Sequence, residues 1–400
     1  MSQPDPVLRL RAGRDESVRR CHPWVFSGSL EKTPPGPSLD GPLRLLDRNT
    51  TLGWAFTSPN SPLAARVWSF LEEPPDKAFV KELVRSALIL RQRVVPPETD
   101  GYRVIHAEGD FLPGLIVDRY GSVLAVQATT EGTERARPYW LPALFEFFPD
   151  TVVVQKNDLA SRAGEGLNVE DEVLRGDALP PRVEFRERGL NFVADVFSGQ
   201  KTGFFLDQRE NRHLIRQNSA GKRVLNLFAY SGAFGVAALA GGASYVEQVD
   251  IAPAALELAR ENHRINGQPV EGDAKAVDFI AADVFDDLRV RTTLAQKWDV
   301  VVTDPPAFAK RKTDLERACR GYKDINRLAI KLLPPGGLLL ACSCSGPISA
   351  DLFQKVLFAA ALDAGARIQI LEERGAGPDH PVSVYCPEGR YLKAFLLRRV

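Results

Sequence analysis

At ~150 residues per domain, a chain of 400 residues is expected to hold two or three domains rather than one. With 44% hydrophobic and 26% charged residues it is too apolar for intrinsic disorder. The 51 basic residues (37 Arg, 14 Lys) balance 51 acidic ones, which excludes a polycation, so any nucleic-acid partner must be held by a local basic face. The excess of Arg suits forked contacts to phosphate or carboxylate, and a GC-rich genome produces the same bias.

The opening residues, MSQPDPVLRLRAGRDE, contain no apolar h-region, so no secretory signal is expected. No stretch approaches the ~18 uninterrupted apolar residues of a spanning helix. Cys21, Cys319, Cys342, Cys344 and Cys386 are odd in number and lack a C-x-x-C pair, which supports neither a disulfide framework nor a zinc site. The expectation is a cytoplasmic protein with free thiols, without a metal and without a membrane segment.

Residues 1–75 show short β-type runs at Val7–Leu10, Trp24–Ser27, Leu43–Leu46 and Ala64–Trp68, broken by the Pro/Gly-rich loop Thr33–Gly41. That pattern predicts a small β-barrel or sandwich. Residues 76–187 combine a helix over Lys77–Val94, a hairpin (Leu115–Asp118, turn at Arg119-Tyr120-Gly121, Ser122–Gln127) and a second helix within Arg135–Phe148. The texture changes after Leu179-Pro180-Pro181, and 188–400 form the third region.

From about residue 220 the alternation is regular. Strands are expected at Lys222–Ala229, Tyr245–Asp250, Val277–Ala281, Asp299–Thr303 and Leu338–Cys344. A small-residue helix is expected over Ala233–Ala240, and Pro253 stands at the first position of another, Ala254–Asn266. Such strand–helix units predict a doubly wound, mostly parallel sheet, whose ligands bind at the carboxyl ends of its strands.

Those ends carry the chemistry. The first strand runs into Tyr230-Ser231-Gly232-Ala233-Phe234-Gly235, a turn that lets a ligand approach the backbone but lacks the G-x-G-x-x-G of dinucleotide sites. The second ends in Asp250, 18 residues beyond Gly232, able to accept both ribose hydroxyls or to cap the next helix. Asp283 follows the third strand and could accept from an adenine amino group or serve as a turn residue. The fourth ends in Asp304-Pro305-Pro306-Ala307-Phe308, where two prolines stiffen a carboxylate beside an aromatic able to stack on a planar base or to join the core. As a set, these residues resemble class I methyltransferases, which bind S-adenosylmethionine (SAM).

The fifth strand ends in Cys342-Ser343-Cys344-Ser345-Gly346. Period-two alternation places both cysteines on one face, with Cys344 nearer the ligand end. A thiolate there can add to C6 of a pyrimidine and make C5 nucleophilic towards a methyl sulfonium, whereas a buried thiol is inert. Residues 309–331 hold eight basic residues, including Lys310, Arg320 and Lys323, against three acidic ones; residues 201–223 hold six against two. Both stretches are expected to offer basic surface to a polyanion, or to be solvated helix faces.

Six stretches carry a closer likeness: HPWVFSG (22–28), KTGFFLDQR (201–209), DPP (304–306), ACRGYKDIN (318–326), SCSG (343–346) and DLFQK (351–355). Through them the chain resembles, over essentially its whole length, the bacterial ribosomal RNA large subunit methyltransferase I family of 23S rRNA 5-methylcytosine methyltransferases. The resemblance implies an α/β fold: a PUA-like RNA-binding domain at 1–75, a small α/β middle domain at 76–187, and a Rossmann-like methyltransferase domain at 188–400. It implies that residues 201–209 close over SAM, with Thr202, Phe204 and Arg209 as cofactor contacts and Phe228 packed near it. Many RNA 5-methylcytosine enzymes carry a second cysteine after the proline of the fourth strand-end loop; here that position is Ala307, so another base must release the product.

The resulting expectation is methyl transfer from SAM to C5 of a cytosine in 23S rRNA or a large-subunit precursor, by a monomer or homodimer. Cys344 is the nucleophile, and Asp304 binds the base edge and lies beside the cofactor. Ser231, Gly232, Asp250 and Asp283 complete the SAM site, while Phe308, Lys310, Arg320 and Lys323 meet the RNA. Two other readings remain: a guanine methyltransferase in which Cys344 is structural, and a SAM-binding assembly factor. An NAD-dependent oxidoreductase is disfavoured by the missing glycine fingerprint.

Overall fold

The computed structural model describes residues 7–32, 41–177 and 182–400, so the first six residues, the loop at 33–40 and the Leu179-Pro180-Pro181 boundary lie outside the described residues. The chain divides into two compact units. One comprises Met1–Phe185, Ala194–Phe204 and Pro378–Gly389; the other comprises Arg186–Val193, Phe205–Gly377 and Arg390–Val400.

In the first unit, alternating residues of short strands build a five-stranded sheet in the order Val7–Arg9, Leu43–Asp47, Thr50–Thr57, Ala65–Ser69, Trp24–Val25. Leu8, Val25, Leu43, Leu45, Ala55 and Val67 form its core. Thr50–Thr57, its longest strand, does not stand out in the sequence because Gly53 and its polar start break the alternation. Gly53 has φ +150°, and a Cβ there would lie 2.4 Å from the Ser69 carbonyl oxygen, so the glycine permits close strand packing.

A second five-stranded sheet runs Glu172–Arg175, Val152–Gln155, Val123–Ala128, Leu115–Tyr120, Gly101–His106. Helices Lys77–Val94 and Arg137–Phe147 pack against each other, and Val80, Val84, Trp140 and Leu144 share a core with Val117 and Val126. The Asp76 side chain starts the first of these helices by accepting from the Phe79 amide at 2.7 Å. The expected hairpin is present with a tighter turn. Tyr120 pairs with Val123, leaving only Gly121 and Ser122 outside the ladder, with Gly121 at φ +55°. Tyr120 is fully buried, which keeps it in the strand rather than in the turn.

The second unit holds a seven-stranded sheet: β1 (Arg223–Leu227), β2 (Tyr245–Asp250), β3 (Val277–Ala281), β4 (Val300–Thr303), β5 (Leu338–Ser343), β6 (Ile368–Arg374) and β7 (Lys393–Arg399). The spatial order is β3-β2-β1-β4-β5-β7-β6. The first five strands are parallel, and β7 runs antiparallel between β5 and β6. Its helices are α1 (Arg209–Gln217), α2 (Ala233–Ala240), α3 (Pro253–Ile265), α4 (Val284–Thr293), α5 (Leu315–Leu332) and α6 (Ala350–Ala364). Val224, Val246, Val300 and Val302 bury one sheet face with Phe234 and Ala238 of α2. Leu225, Leu227, Val301 and Leu339 bury the other with Tyr322 and Ile325 of α5 and Phe353 of α6. Burial on both faces is why β4 and β5 read as near-continuous apolar runs. The strand order reverses between β1 and β4, and a ligand crevice is expected outside their carboxyl ends.

Candidate active site

The turn after β1 is held in a conformation that side chains rarely adopt. Phe228 (φ 58°), Tyr230 (φ 46°) and Gly232 (φ 69°) are all left-handed. Non-glycine residues persist there only where neighbours over-determine them, and such strain clusters at ligand sites. The neighbours are on β2 and α3. Gln248 Nε2 donates to the Gly232 carbonyl at 2.9 Å, and Asn262 Nδ2 donates to the Ser231 carbonyl at 2.8 Å. Asn226 Nδ2 in turn donates to Gln248 Oε1 at 2.6 Å. A Cβ at Gly235 would lie 1.9 Å from Gln248 Nε2, so that glycine is what lets α2 settle on β2.

Asp250 closes β2 with both carboxylate oxygens aimed. Oδ2 accepts from the Tyr230 amide and Oδ1 from the Ala252 amide, each at 2.9 Å. Each oxygen retains acceptor capacity for a hydroxyl. Asp283 is exposed and caps α4, its Oδ1 accepting from the amides of Phe285 (2.9 Å) and Asp286 (3.2 Å). Phe228 is half-buried and leans on the core beneath β1.

The ends of β4 and β5 come together. Cys344 Sγ lies 3.9 Å from the carbonyl oxygen of Pro305, so the half-buried thiol sits beside the stiff Asp304-Pro305-Pro306 loop. Asp304 is half-buried and Oδ2 accepts from Gln208 Nε2 at 2.9 Å. Gln208 is itself held by Asn211 Nδ2, which donates to its Oε1 at 2.6 Å. Cys342 is fully buried; burial first, and the Asp304 charge next, push its thiol well above the ordinary range. Phe308 is half-buried, its ring 4.6 Å from that of Tyr322 and near-parallel to Phe285 at 6.2 Å, so much of it is committed to the core beside α5.

Ser345 ties these loops to each other and is a feature that sequence reasoning missed. Its Oγ accepts from the Ala309 amide at 3.1 Å and lies 2.9 Å from the Tyr322 hydroxyl, while its carbonyl accepts from Lys393 Nζ at 2.6 Å. The loop after β4, helix α5 and strand β7 thus converge on the residue after Cys344. Partners 23 to 48 residues apart leave no local signal.

Within 201–209 the two units divide the residues. Thr202 is fully buried in the first unit; its Oγ1 donates to Asp118 Oδ2 at 2.5 Å and lies 2.8 Å from the Tyr120 hydroxyl. Phe204 is also buried there, edge-on to Phe185 at 4.9 Å. Thr202 anchors the segment by hydrogen bonding and Phe204 by ring packing. Arg209 opens α1 in the second unit, fully buried, with Nε donating to Glu210 Oε1 at 3.0 Å.

The expected basic surface is smaller than the charge count implies. Across 201–223, Arg209 and Arg212 are interior, and Arg212 is paired with Glu187 at 2.5 Å, so these two add nothing to an exposed basic face, while Lys222 and Arg223 are exposed. Across 309–331, Arg320 pairs with Glu316 (2.8 Å), Lys323 with Asp363 (2.9 Å) and Arg327 with Asp324 (2.6 Å). Lys310, Arg311 and Lys312 are exposed directly after the Asp304–Phe308 loop, and no ion pair involves them among the described residues. Replacing all three by alanine is expected to weaken RNA binding and to flatten the slope of log K against log salt by about 2, at ~0.7 per lost phosphate contact on single strands. Arg320→Ala, which also frees Glu316, is expected to change it by less than 1 unit of slope, to order of magnitude. Filter binding over a salt series measures both, and equal slopes for the triple variant and the parent would remove these residues from the interface.

Elsewhere, His22, Cys386 and Glu388 of the first unit bring ligating atoms within 4.8 Å of one another. His22 Nδ1 accepts from the Trp24 amide (3.2 Å), which leaves the ring proton on Nε2 to donate to Glu388 (3.2 Å). The group satisfies itself by hydrogen bonding.

No helix among the described residues is long and apolar enough to cross a membrane. The sequence matches the S-adenosylmethionine-dependent methyltransferase family over residues 166–398 and a PUA-like domain over 8–70. It is 42% identical over 398 residues to the ribosomal RNA large subunit methyltransferase I of Serratia proteamaculans, and 41% identical over 392 residues to that of Vibrio cholerae, with 98% of each chain covered. Its fold is similar to that of a proposed SAM-dependent methyltransferase from Streptococcus mutans (TM-score 0.82, 22% identity, 99% of this chain and all of the other). It is equally similar to a proposed methyltransferase solved with SAH (TM-score 0.82, 22%, all of both chains). The oriented Asp250 carboxylate and the strained turn after β1, at the point where strand order reverses, suit such a cofactor, and the chain belongs to the ribosomal RNA large subunit methyltransferase I family of SAM-dependent methyltransferases.

Proposed function

We propose that the protein transfers a methyl group from SAM to C5 of a cytosine in 23S rRNA, or in a precursor of the large subunit, through a transient bond between Cys344 and cytosine C6. The relatives' names supply the RNA class. The observation that carries the chemistry is the placement of a half-buried thiol beside the Asp304-Pro305-Pro306 loop, Sγ 3.9 Å from the Pro305 carbonyl.

When bound, SAM supplies a methyl group on a positively charged sulfur. Asp250 takes the ribose hydroxyls, and Asp283, with Oδ1 engaged in its cap, leaves Oδ2 for the adenine amino group. Ser231, Gly232, Phe228 and Arg209 complete the cofactor side. Asp304 holds the N3/N4 edge of cytosine, and Phe308 borders the base. Cys344 as thiolate would add to C6, and the electron pair displaced onto C5 would take the methyl group, the pair of the broken S–CH3 bond staying on the departing neutral thioether. A base then removes the C5 proton, the C5–C6 double bond re-forms and the Cys344 thiolate leaves. Ala307 provides no second thiol for the proton step.

RNA carrying 5-fluorocytosine at the target tests this reading, because fluorine cannot depart as a cation and the adduct stays closed. A denaturation-stable protein–RNA complex that requires SAM and Cys344 is expected. Absence of any adduct on an RNA whose unsubstituted form is methylated would remove the covalent step.

A further inference from the structure

Lys393 opens β7 opposite Ser343 of β5 in the antiparallel ladder and is 4% exposed. Nζ donates to the carbonyl of Ser345 at 2.6 Å and to that of Tyr391 at 2.8 Å. Two neutral carbonyls satisfy two of the ammonium's three protons, and no carboxylate pairs with it among the described residues. A buried lysine is ordinarily matched by an anion, because an isolated charge is costly to desolvate. The carbonyl it reaches belongs to the residue after Cys344, and a charge on that cysteine would favour the protonated lysine. Burial draws the lysine down to about 8, and the cysteine draws it back up.

We propose that Lys393 is the counter-ion of a Cys344 thiolate and, through the Ser345 carbonyl, fixes the loop on which that sulfur sits. This rests on the nucleophile reading of Cys344. Other titratable groups stand on the elements around the sulfur. Asp304 at the end of β4 is acidic and opposes a thiolate. Cys342 on β5 and Tyr322 on α5 are both driven up by burial and so stay neutral. Of the other cations on these elements, Arg320, Lys323 and Arg327 of α5 are held by carboxylates, whereas Lys393 of β7 donates to the carbonyl of the residue after Cys344. On pairing, the thiol proton leaves to solvent while Lys393 keeps its own. Lys393 is therefore a positioning residue that acts through Cys344. Its influence is lost on both sides of a window: at low pH the thiol is protonated, and above about 8 the lysine loses its charge.

The test is alkylation of the full-length protein by iodoacetamide, without RNA or SAM, over a pH series, with Cys344 read by peptide mass spectrometry. In the parent protein the midpoint for Cys344 is expected below the ~8.5 of a free thiol. In Lys393→Met it is expected to rise by about one unit, roughly tenfold slower alkylation at neutral pH. Loss of a purely structural contact would leave that midpoint in place. A parent midpoint at or above the free-thiol value overturns the proposal without recourse to any variant, as does an unchanged midpoint in a folded Lys393→Met protein. Methyl transfer that survives Cys344→Ala would instead overturn the nucleophile reading, whatever the alkylation curve shows.

Discussion

Cys344→Ala is expected to lower methyl transfer by at least about 10³-fold, roughly 4 kcal/mol of transition-state stabilisation, because C5 of cytosine is a poor nucleophile until C6 carries a substituent. The side chain is small and half-buried, and its contact with the Pro305 carbonyl is a weak one, so the fold is expected to tolerate alanine. SAM affinity should stay within about threefold, since the proposed ribose and adenine acceptors, Asp250 and Asp283, lie at the ends of other strands. Single-turnover rates with labelled SAM, beside calorimetric SAM binding, separate the two effects. A loss of both activity and SAM binding would point to a cysteine that shapes the site rather than one that attacks the base.

Asp304→Asn is expected to lower kcat by about 10²-fold or more, with a smaller change in SAM affinity. The amide oxygen can still accept from Gln208 Nε2, so the 2.9 Å contact that aims the side chain survives. What is lost is the negative charge and the ability to hold a proton as charge builds on cytosine N3 during addition at C6. Adduct formation with 5-fluorocytosine RNA should slow by the same factor as methyl transfer. Rapid adduct formation with slow turnover of unsubstituted RNA would place the role of Asp304 after methyl transfer.

The fold of the methyltransferase unit is legible because both faces of its parallel sheet are covered. Runs such as 300–302 and 338–342 are continuously apolar, and the intervening helices carry their own punctuation, such as Pro253. The order of β7 between β5 and β6 is not legible, since Lys393–Arg399 pairs with strands far from it in sequence. The strand Thr50–Thr57 is hidden for a local reason, the glycine that close packing requires. Strand-end residues at the site could be listed from the alternation alone, because position at a carboxyl end is a property of the local element. Contacts that bind one end to another could not. Ser345 and Lys393 act through partners scattered from β4 to the C-terminal strand. Charge counting misled at Arg209 and Arg212, where the guanidinium groups are interior, since composition carries no information on burial.

The central claim is the identity of the methylated atom. It is tested most directly by nucleoside mass spectrometry of 23S rRNA taken from cells lacking this protein and then treated with the enzyme and methyl-labelled SAM. Label in 5-methylcytidine is the predicted result. Label in a methylguanosine, with none in 5-methylcytidine, would contradict the account and make Cys344 a structural residue.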